Sequence, residues 1–346
     1  MAYTTIKKPS DYFNTKLYTG NGTTGHAITG VGFQPDWVWT KNRDDSYSHW
    51  LFDSVRGVNE GLRTDRTDGE IDNATRQVSF DSDGFTLGNS ADVNVNGNNY
   101  ASWNWLASNT TASNTDGSIT STVSANTTSG FSIVSYSGSA SNITVGHGLG
   151  VTPKMILIKN RTSAVDWTVY HESLGNAKLV RLNTTTAEES TNQFSFGTSP
   201  TSSVFALGGG YSMVNTSGAN YIAYCFADVQ GFSKFGSYTG NGSTDGTFVY
   251  TGFKPAFLLM KRTNNTGSWI MYDNKRSSSS KNLTDKYLYA NLTNIETTDT
   301  AEGIDFLSNG FKQRNTFSVS NASGDTYIYM CFASQPLVGD NPATAR

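Results

Sequence analysis

The chain has 346 residues, of which 15% are charged and 12% are aromatic, and it carries 34 glycines and a formal net charge of −3. This length suggests two or three domains. The small net charge gives no electrostatic reason to expect nucleic-acid binding. The scarcity of Lys and Glu disfavours long exposed helices. Aromatic and β-branched residues between Gly, Asn and Ser turns predict an all-β protein.

The first residues, "MAYTTIKKPSDYF", lack the apolar core of a signal peptide. No apolar run approaches the ~18 residues needed to span a membrane. We therefore expect synthesis in a cytosol, with no membrane insertion. An uncharged, hydroxyl-rich β protein without an export signal could still reach the outside as part of a virus particle released by lysis.

The pentapeptide "YTGNG" occurs at residues 18–22 and again at 238–242. After each copy comes a Gly-x-x-Pro turn and an apolar run ending in Lys. A middle copy has the same turn after the looser version "YSGSASNITVGHGLG". Three further blocks follow each turn in the same order, so we interpret the chain as three diverged copies of one unit. The turn blocks are "GFQPDWVWTKNR" (32–43), "GVTPKMILIKNR" (150–161) and "GFKPAFLLMKR" (252–262).

The remaining blocks align as follows. The second block is "HWLFDS" (49–54), "WTVYHE" (167–172) and "WIMYDN" (269–274). The third is "DSDGFTLG" (81–88), "GGGYSMV" (208–214) and "LSNGFKQ" (307–313). The fourth is "YASWNWLA" (100–107), "YIAYCFA" (221–227) and "YIYMCFA" (327–333). Turn signals about every ten residues predict that each copy is an antiparallel, jelly-roll-like β-sandwich.

This alignment predicts the domain boundaries. Residues 1–107 hold an N-terminal segment and the first sandwich, 131–228 the second, and 232–334 the third. The Ser/Thr/Asn-rich stretch 108–130 is predicted to be a flexible or extended linker, and residues 335–346 an extended arm. Cys225 and Cys331 fall at equivalent positions of separate copies, so they should be free thiols.

The sequence contains none of the common catalytic motifs, and we expect no enzymatic activity, no cofactor and no metal ion. The four histidines, His26, His49, His147 and His171, lack zinc-site spacing and are interpreted as polar strand-end or loop residues. The "DSDG" turn (81–84) could suit calcium. The equivalent turns lack its acids, so a tight turn whose Gly takes a positive φ is the preferred interpretation.

Asp53 and Asp273 are equivalent, and Arg56 and Arg276 follow them at the same offset. A glycosidase needs two carboxylates flanking a cleft, and no second carboxylate is identifiable. A structural Asp–Arg contact is therefore favoured. Trp50, Trp167 and Trp269 could stack on sugars, but their apolar neighbours favour core packing.

Taken together, "MAYTTIKKPSDYF", the first repeat, "LFDSVRG", "FDSDGFTLG" and "QPLVGDNPATAR" resemble virion structural proteins of marine tailed phages. The resemblance covers nearly the whole chain. It implies tail-fibre-like proteins with repeated lectin- or laminin-G-like sandwiches, located in the virion. It implies no catalytic residues.

Two functions follow as hypotheses. The first is a tail fibre or adhesin that binds a host-surface glycan. The second is a head decoration or tail scaffold protein that binds only other virion proteins. A glycan-cleaving enzyme is disfavoured by the missing carboxylate pair. Small sandwiches with little shared core would gain stability by association, so we expect a homo-oligomer, and the resemblance implies a trimer.

The three copies diverge most between their second and third blocks, at residues 57–77, 175–193 and 277–303. Binding is commonly drawn to such variable loops, and these insertions carry much of the charge. We expect them to contact the glycan or neighbouring virion protein. The candidate binding residues are Arg63, Arg66, Glu70, Arg181, Lys281 and Lys286.

Overall fold

A computed structural model describes residues 3–192, 198–277, 282–338 and 342–343. The described chain is all-β, as predicted, and every pairing between its named strands is antiparallel. The strands fall into three consecutive sets, which we call units 1, 2 and 3.

Unit 1 contains β1 (Phe13–Thr19), β2 (His26–Thr29), β3 (Trp37–Asn42), β4 (Trp50–Asp53), β5 (Gly57–Arg63), β6 (Ile71–Asp72), β7 (Gln77–Asp81), β8 (Gly84–Leu87), helix α1 (Ala91–Asn94) and β9 (Asn99–Trp105). Unit 2 contains β10 (Ala112–Asn114), β11 (Ser121–Asn126), β12 (Phe131–Ser137), β13 (Ile143–Gly146), β14 (Met155–Asn160), β15 (Thr168–His171), β16 (Lys178–Arg181), β17 (Glu189–Ser190), β18 (Val204–Leu207) and β19 (Asn220–Phe226). Unit 3 contains β20 (Ser233–Thr239), β21 (Phe248–Tyr250), β22 (Phe253–Arg262), β23 (Trp269–Asp273), β24 (Leu283–Thr284), β25 (Lys286–Tyr289), β26 (Thr297–Thr298), β27 (Ile304–Leu307), β28 (Gly310–Gln313), helix α2 (Ser318–Asn321) and β29 (Thr326–Pro336). Short 3-10 helices span Pro9–Asp11, Glu172–Leu174 and Thr300–Glu302.

Each unit has one large sheet, and the same order of six strands recurs in all three, with two further strands, β10 and β11, at one edge in unit 2. The orders are β1-β9-β3-β4-β5-β6, β10-β11-β12-β19-β14-β15-β16-β17 and β20-β29-β22-β23-β25-β26. A smaller sheet accompanies each, with the orders β2-β8-β7, β13-β18 and β21-β28-β27-β24. An apolar cluster in each unit joins side chains of its large and small sheets, which gives the two-layered, sandwich-like packing.

The pairing register also repeats. Trp37 pairs with both Asp53 and Trp105, and Phe257 pairs with both Asp273 and Phe332. In unit 2, Met155 is the corresponding residue and pairs with His171 and Phe226. In each unit the proline of the Gly-x-x-Pro turn lies two residues before this position, at 35, 153 and 255. The first, second and fourth sequence blocks therefore correspond in space as the alignment predicts.

The third block was misaligned in unit 2. Strand β18 pairs with β13 as β8 pairs with β2, so residues 204–207, "VFAL", take this place, and "GGGYSMV" lies beyond them. Phe205 is buried like its counterparts Phe85 and Phe311. The alignment followed the Gly-aromatic turn, whereas the equivalent feature is the buried phenylalanine of the strand.

The "YTGNG" turn recurs because its residues have specific partners. Tyr18 stacks on Tyr100 at 4.9 Å between ring centroids, and Tyr238 stacks on Tyr327 at 5.0 Å. A Cβ added to Gly20 would lie 2.1 Å from the Val95 carbonyl oxygen, so only glycine fits there. The next residue, Asn21, donates its backbone N–H to the Asn94 side chain at 2.9 Å, and Asn241 donates equivalently to Asn321 at 3.0 Å.

The predicted linker, residues 108–130, is instead part of the unit 2 sheet. It contains β10 and β11, and Val123 of β11 pairs with Val134 of β12. Ser121 and Ser124 are also buried. A composition rich in Ser and Thr predicts a linker, yet threonine and valine favour a pleated, half-buried strand. The predicted C-terminal arm likewise begins inside β29, since Pro336 pairs with Phe253.

The units are not separate domains, because their large sheets share one apolar core. Among the described residues, one cluster of 33 buried side chains draws from all three units. At its centre lie the equivalent rings of Trp105, Phe226 and Phe332, with centroids 5.7, 6.1 and 6.5 Å apart. The expectation that the sandwiches share little core is wrong. The middle strands β3, β14 and β22 are buried on both faces, and this is why each carries apolar residues on both sides.

Candidate functional site

In the part of the chain that the structure describes, each of the three variable insertions contacts the next unit. The backbone N–H of Glu70 in unit 1 donates to the Arg161 carbonyl of unit 2 at 2.8 Å. Glu188 of unit 2 donates to Thr263 of unit 3 at 2.7 Å, and Glu296 of unit 3 donates to Arg43 of unit 1 at 2.9 Å. The contacts run from unit 1 to 2 to 3 and back to 1. We call this arrangement the three-unit ring.

A buried ion-pair network crosses the boundary between units 1 and 2. Arg56 pairs with Asp53, and both side chains have no exposed surface. The Tyr224 hydroxyl of unit 2 donates to Asp53 at 2.6 Å. Glu70 accepts from Arg161 at 2.7 Å and from Arg56 at 3.1 Å. Burial opposes ionisation of Glu70, but the two arginines lower its pKa, so the network is charged and internally balanced.

The boundary between units 3 and 1 repeats this network. Arg276 pairs with Asp273, again fully buried. Here the Trp103 indole donates to Asp273 at 3.0 Å, in place of the tyrosine hydroxyl. Glu296 accepts from Arg43 at 2.8 Å and from Arg276 at 3.2 Å. Equivalent residues of the repeats therefore form the ion-pair network at both boundaries.

The boundary between units 2 and 3 uses a neutral alternative. His171 replaces the aspartate, and its Nε2 donates to the Tyr329 carbonyl at 3.2 Å. Its Nδ1 accepts from the Ser173 backbone N–H at 3.2 Å. Burial lowers the pKa of His171 to about 4, against the opposing effect of Tyr329. The imidazole of His171 is therefore uncharged at physiological pH.

Four of the predicted binding residues lie at contacts within the chain. Glu70 is described above. Arg63 pairs with Asp68, and its carbonyl accepts from the Trp167 indole of unit 2 at 2.8 Å. The Arg181 carbonyl equivalently accepts from Trp269 of unit 3 at 2.8 Å. Lys286 lies 3.6 Å from Glu296.

The other two predicted binding residues differ. Arg66 lies 3.4 Å from Asp65, and its side chain is 54% exposed, so it can still meet an outside partner. Lys281 falls outside the described residues. The charged residues of the insertions therefore mark contacts between the repeats of one chain. Binding of an outside partner by these loops remains a prediction.

The candidates for catalysis and sugar stacking lie in the interior. Asp53 and Asp273 are fully buried and paired with arginine, which confirms the structural interpretation. The residues Trp50, Trp167 and Trp269 are at most 1% exposed, so they pack in the core as predicted. His49, His147 and His171 are also buried. Among the described residues, no group of side chains is arranged to hold a metal ion.

Two local predictions are confirmed. Gly84 of the "DSDG" turn has φ of +146°. Asp83 accepts backbone N–H groups of Gly30 at 2.9 Å and Gly32 at 2.7 Å, and these hydrogen bonds lower its pKa. Its carboxylate therefore holds a turn. Cys225 and Cys331 are free and buried, and burial raises the pKa of both thiols.

An open cleft of about 470 Å³ lies where the N-terminal segment meets the connection between units 2 and 3. This location was not predicted. The N-terminal segment closes one side, since Tyr3 donates its hydroxyl to the Gly252 carbonyl at 2.8 Å. The cleft is lined by Tyr3, Asp228, Gln230, Ser233, Lys234, Tyr250, Thr251 and Gly252.

The polar groups of the cleft are mostly neutral or paired. Lys234 forms an ion pair with Asp228, and their side chains are 41% and 25% exposed. Asp228 also accepts from the Phe235 backbone at 2.8 Å, which fixes its orientation. Burial and the neighbouring Tyr250 raise the pKa of Tyr3 to about 12, so Tyr3 is an uncharged phenol at neutral pH.

Strand β21 carries two exposed aromatic rings, of which Tyr250 lines the cleft, and only unit 3 has aromatic residues at these positions. Phe248 is 43% and Tyr250 is 58% exposed. They flank buried Val249, which pairs with Phe311. In unit 1 the pair Ile28–Phe85 is equivalent, and in unit 2 it is Val145–Phe205. The residues equivalent to Phe248 and Tyr250 are then Ala27 and Thr29 in unit 1, and Thr144 and Gly146 in unit 2.

The sequence did contain a signal for this site. In the repeat alignment, "TFVYT" (247–251) stands where unit 1 has "HAITG" (26–30). We expected aromatic residues in strands to build the core. Alternation about the buried valine places both of these rings on the solvent face instead, and exposed aromatics that break an internal repeat indicate a site rather than a core.

Comparison with known proteins gives one match. A family described as "Domain of unknown function (DUF7483)" matches residues 8–336. No curated protein matches the chain, and no solved structure matches it. Of the helices among the described residues, none has the length and apolarity to cross a membrane.

Proposed function

The chain belongs to the family described as domain of unknown function DUF7483, and we propose that it is a non-enzymatic phage virion protein, a tail fibre or adhesin that binds a host-surface glycan. The observation that carries the binding role is the cleft with its exposed aromatic strand. The location in a virion is supported by the sequence resemblance described above.

The three-unit ring suits a protein that must stay folded outside the cell. Its charged boundary residues are used within the chain, at Glu70–Arg161 and Glu296–Arg43. The shared core of 33 residues gives the three repeats a common interior. A shared core and paired boundary charges favour a rigid scaffold, and rigid scaffolds position binding groups well.

The binding site is proposed on unit 3 alone. Ligand sites are concave and combine apolar or aromatic walls with a few placed polar groups. The cleft has this composition: the rings of Tyr3 and Tyr250, the Asp228–Lys234 pair, and Gln230. The equivalent strand positions of units 1 and 2 lack aromatic residues, so one chain offers one such site.

The physical argument for a homotrimer no longer applies. Association was expected to compensate for a small shared core, and the three repeats of one chain already supply that core. The trimer now rests on the resemblance alone. The mass of the purified protein in solution at micromolar concentration distinguishes a monomer from a trimer.

Localisation on intact particles tests the proposed function. Cryo-electron microscopy of particles that carry the gene should show the chain on the tail, with the unit 3 cleft facing outward. Purified protein should bind host cells and release no reducing sugar from host polysaccharide. Density on the head, or absence of binding to host cells, would instead favour the decoration or scaffold role.

A further inference from the structure

We infer that the cleft between the N-terminal segment and unit 3 binds a neutral pyranose sugar, with Tyr250 as the stacking platform and the Asp228–Lys234 pair as the hydrogen-bonding group. This inference rests on the proposed function and names the class of glycan. It follows from three features: the exposed rings, the balanced charge, and the break in the internal repeat.

The exposed rings suit a sugar face. Tyr250 lines the cleft and is 58% exposed. An aromatic ring combines a large apolar face with a polar edge when it carries a hydroxyl. A pyranose has the matching pattern, since its C–H groups form an apolar face and its hydroxyls lie around the rim. Phe248, two residues earlier on the same strand face, extends the platform beyond the cleft.

The polar groups supply both halves of hydroxyl recognition. The Lys234 ammonium carries three donors, and Asp228 accepts one of them. The Asp228 carboxylate has lone pairs beyond those that accept from Lys234 and the Phe235 backbone. Neighbouring sugar hydroxyls both donate and accept, so they can bridge this pair. Gln230 adds a donor and an acceptor, and the Tyr3 hydroxyl, which donates its hydrogen to the Gly252 carbonyl, adds an acceptor.

The charge balance selects a neutral ligand. The two charged side chains lining the cleft are Asp228 and Lys234, and they neutralise each other. An anionic sugar would have to compete with Asp228 for the ammonium, and its carboxylate would be repelled by that of Asp228. A neutral sugar meets no such penalty. We therefore expect discrimination against uronic acids.

The repeat supplies variants that fit the fold. Replacing Phe248 with Ala and Tyr250 with Thr gives unit 3 the residues that unit 1 has at the same positions, Ala27 and Thr29. Both positions are on the exposed face, so the variants should fold. The variant Thr29→Ala is the matched control, since it changes the equivalent strand in a unit without the aromatic pair.

Saturation-transfer NMR with methyl β-glucopyranoside, methyl β-galactopyranoside and methyl β-glucuronide tests the inference on the full chain. We expect transfer to at least one neutral glycoside, weaker transfer to the glucuronide, and about tenfold or greater loss of affinity in Tyr250→Thr. Thr29→Ala should bind like the unmodified protein. Equal or stronger binding of the glucuronide, no transfer to any of the three sugars, or unchanged binding by Tyr250→Thr would overturn it.

A parallel measurement on host cells separates this inference from the proposed function. If the protein binds cells but none of the three glycosides, the sugar class is wrong and the adhesin proposal stands. If the unmodified protein does not bind host cells, the adhesin proposal itself fails. Retained cell binding by Tyr250→Thr would place the adhesive surface elsewhere and would overturn the assignment of the cleft.

Discussion

Replacing Arg56 with methionine should destabilise the protein strongly, because it leaves a buried carboxylate without its partner. Arg56 pairs with Asp53, reaches Glu70 at 3.1 Å and the Glu60 carbonyl at 2.9 Å, and has no exposed side-chain surface. Removing one partner of a buried pair costs about 3–5 kcal/mol. The lower end, about 3 kcal/mol, is expected here, since Asp53 keeps hydrogen bonds from Tyr224 and from two backbone N–H groups.

Urea denaturation followed by tryptophan fluorescence measures this free energy of unfolding. The double variant Asp53→Asn, Arg56→Met removes both charges, so it should be more stable than Arg56→Met alone by about 1–2 kcal/mol. Arg66→Met is the matched control, because its side chain is 54% exposed, and it should change stability by less than about 0.5 kcal/mol. A loss below about 1 kcal/mol for Arg56→Met, or a double variant less stable than the single one, would refute the reasoning.

Three further predictions concern the buried lysines, the insertion of unit 1 and a glycine of unit 3. Burial lowers the pKa of Lys41, Lys159 and Lys261 from 10.5 to about 8; just above pH 8 the unfolded chain binds more protons at these lysines, so stability should rise from about pH 8 to about pH 9, and less steeply in Lys159→Met. At higher pH the buried thiols, whose pKa is raised, have the opposite effect. Replacing residues 57–77 with a Gly-Ser linker should destabilise the whole protein, because Glu70 and Arg63 contact unit 2; unchanged urea midpoints would contradict this. Gly240→Ala should destabilise unit 3, since the added Cβ would lie 2.3 Å from the Ala322 carbonyl oxygen, and a normal melting temperature would count against the structure there.

Local structure was largely predictable from the sequence. The turn residues have short-range causes: Gly84 takes a positive φ, and Asp53 with Arg56 forms a contact over three residues. The strands of the first, second and fourth blocks followed from apolar residues between turn signals. Free cysteines followed from their equivalent positions in separate copies. Each of these inferences needs only neighbouring residues or the repeat alignment.

The arrangement of the repeats was not predictable in this way. Strand β3 is apolar on both faces, which shows that both faces are buried. The apolar pattern of the strand does not say what covers each face. Sequence reasoning expects only the smaller sheet of the same unit, whereas the other two units cover the second face. The contact of Glu70 with the next repeat could not be predicted for a related reason, since a charged residue in a variable insertion is equally suited to an outside partner and to the next repeat.

Hydrogen exchange on the variant Trp105→Ala tests the shared core most directly. Trp105 lies in unit 1 and contacts Phe226 of unit 2 and Phe332 of unit 3. Removing such a ring costs about 3–5 kcal/mol. If the three-unit ring unfolds as one body, protection should fall by a similar factor in β9, β19 and β29, which belong to three different units. Loss of protection confined to unit 1, with β19 and β29 unchanged, would show independent domains and contradict the account.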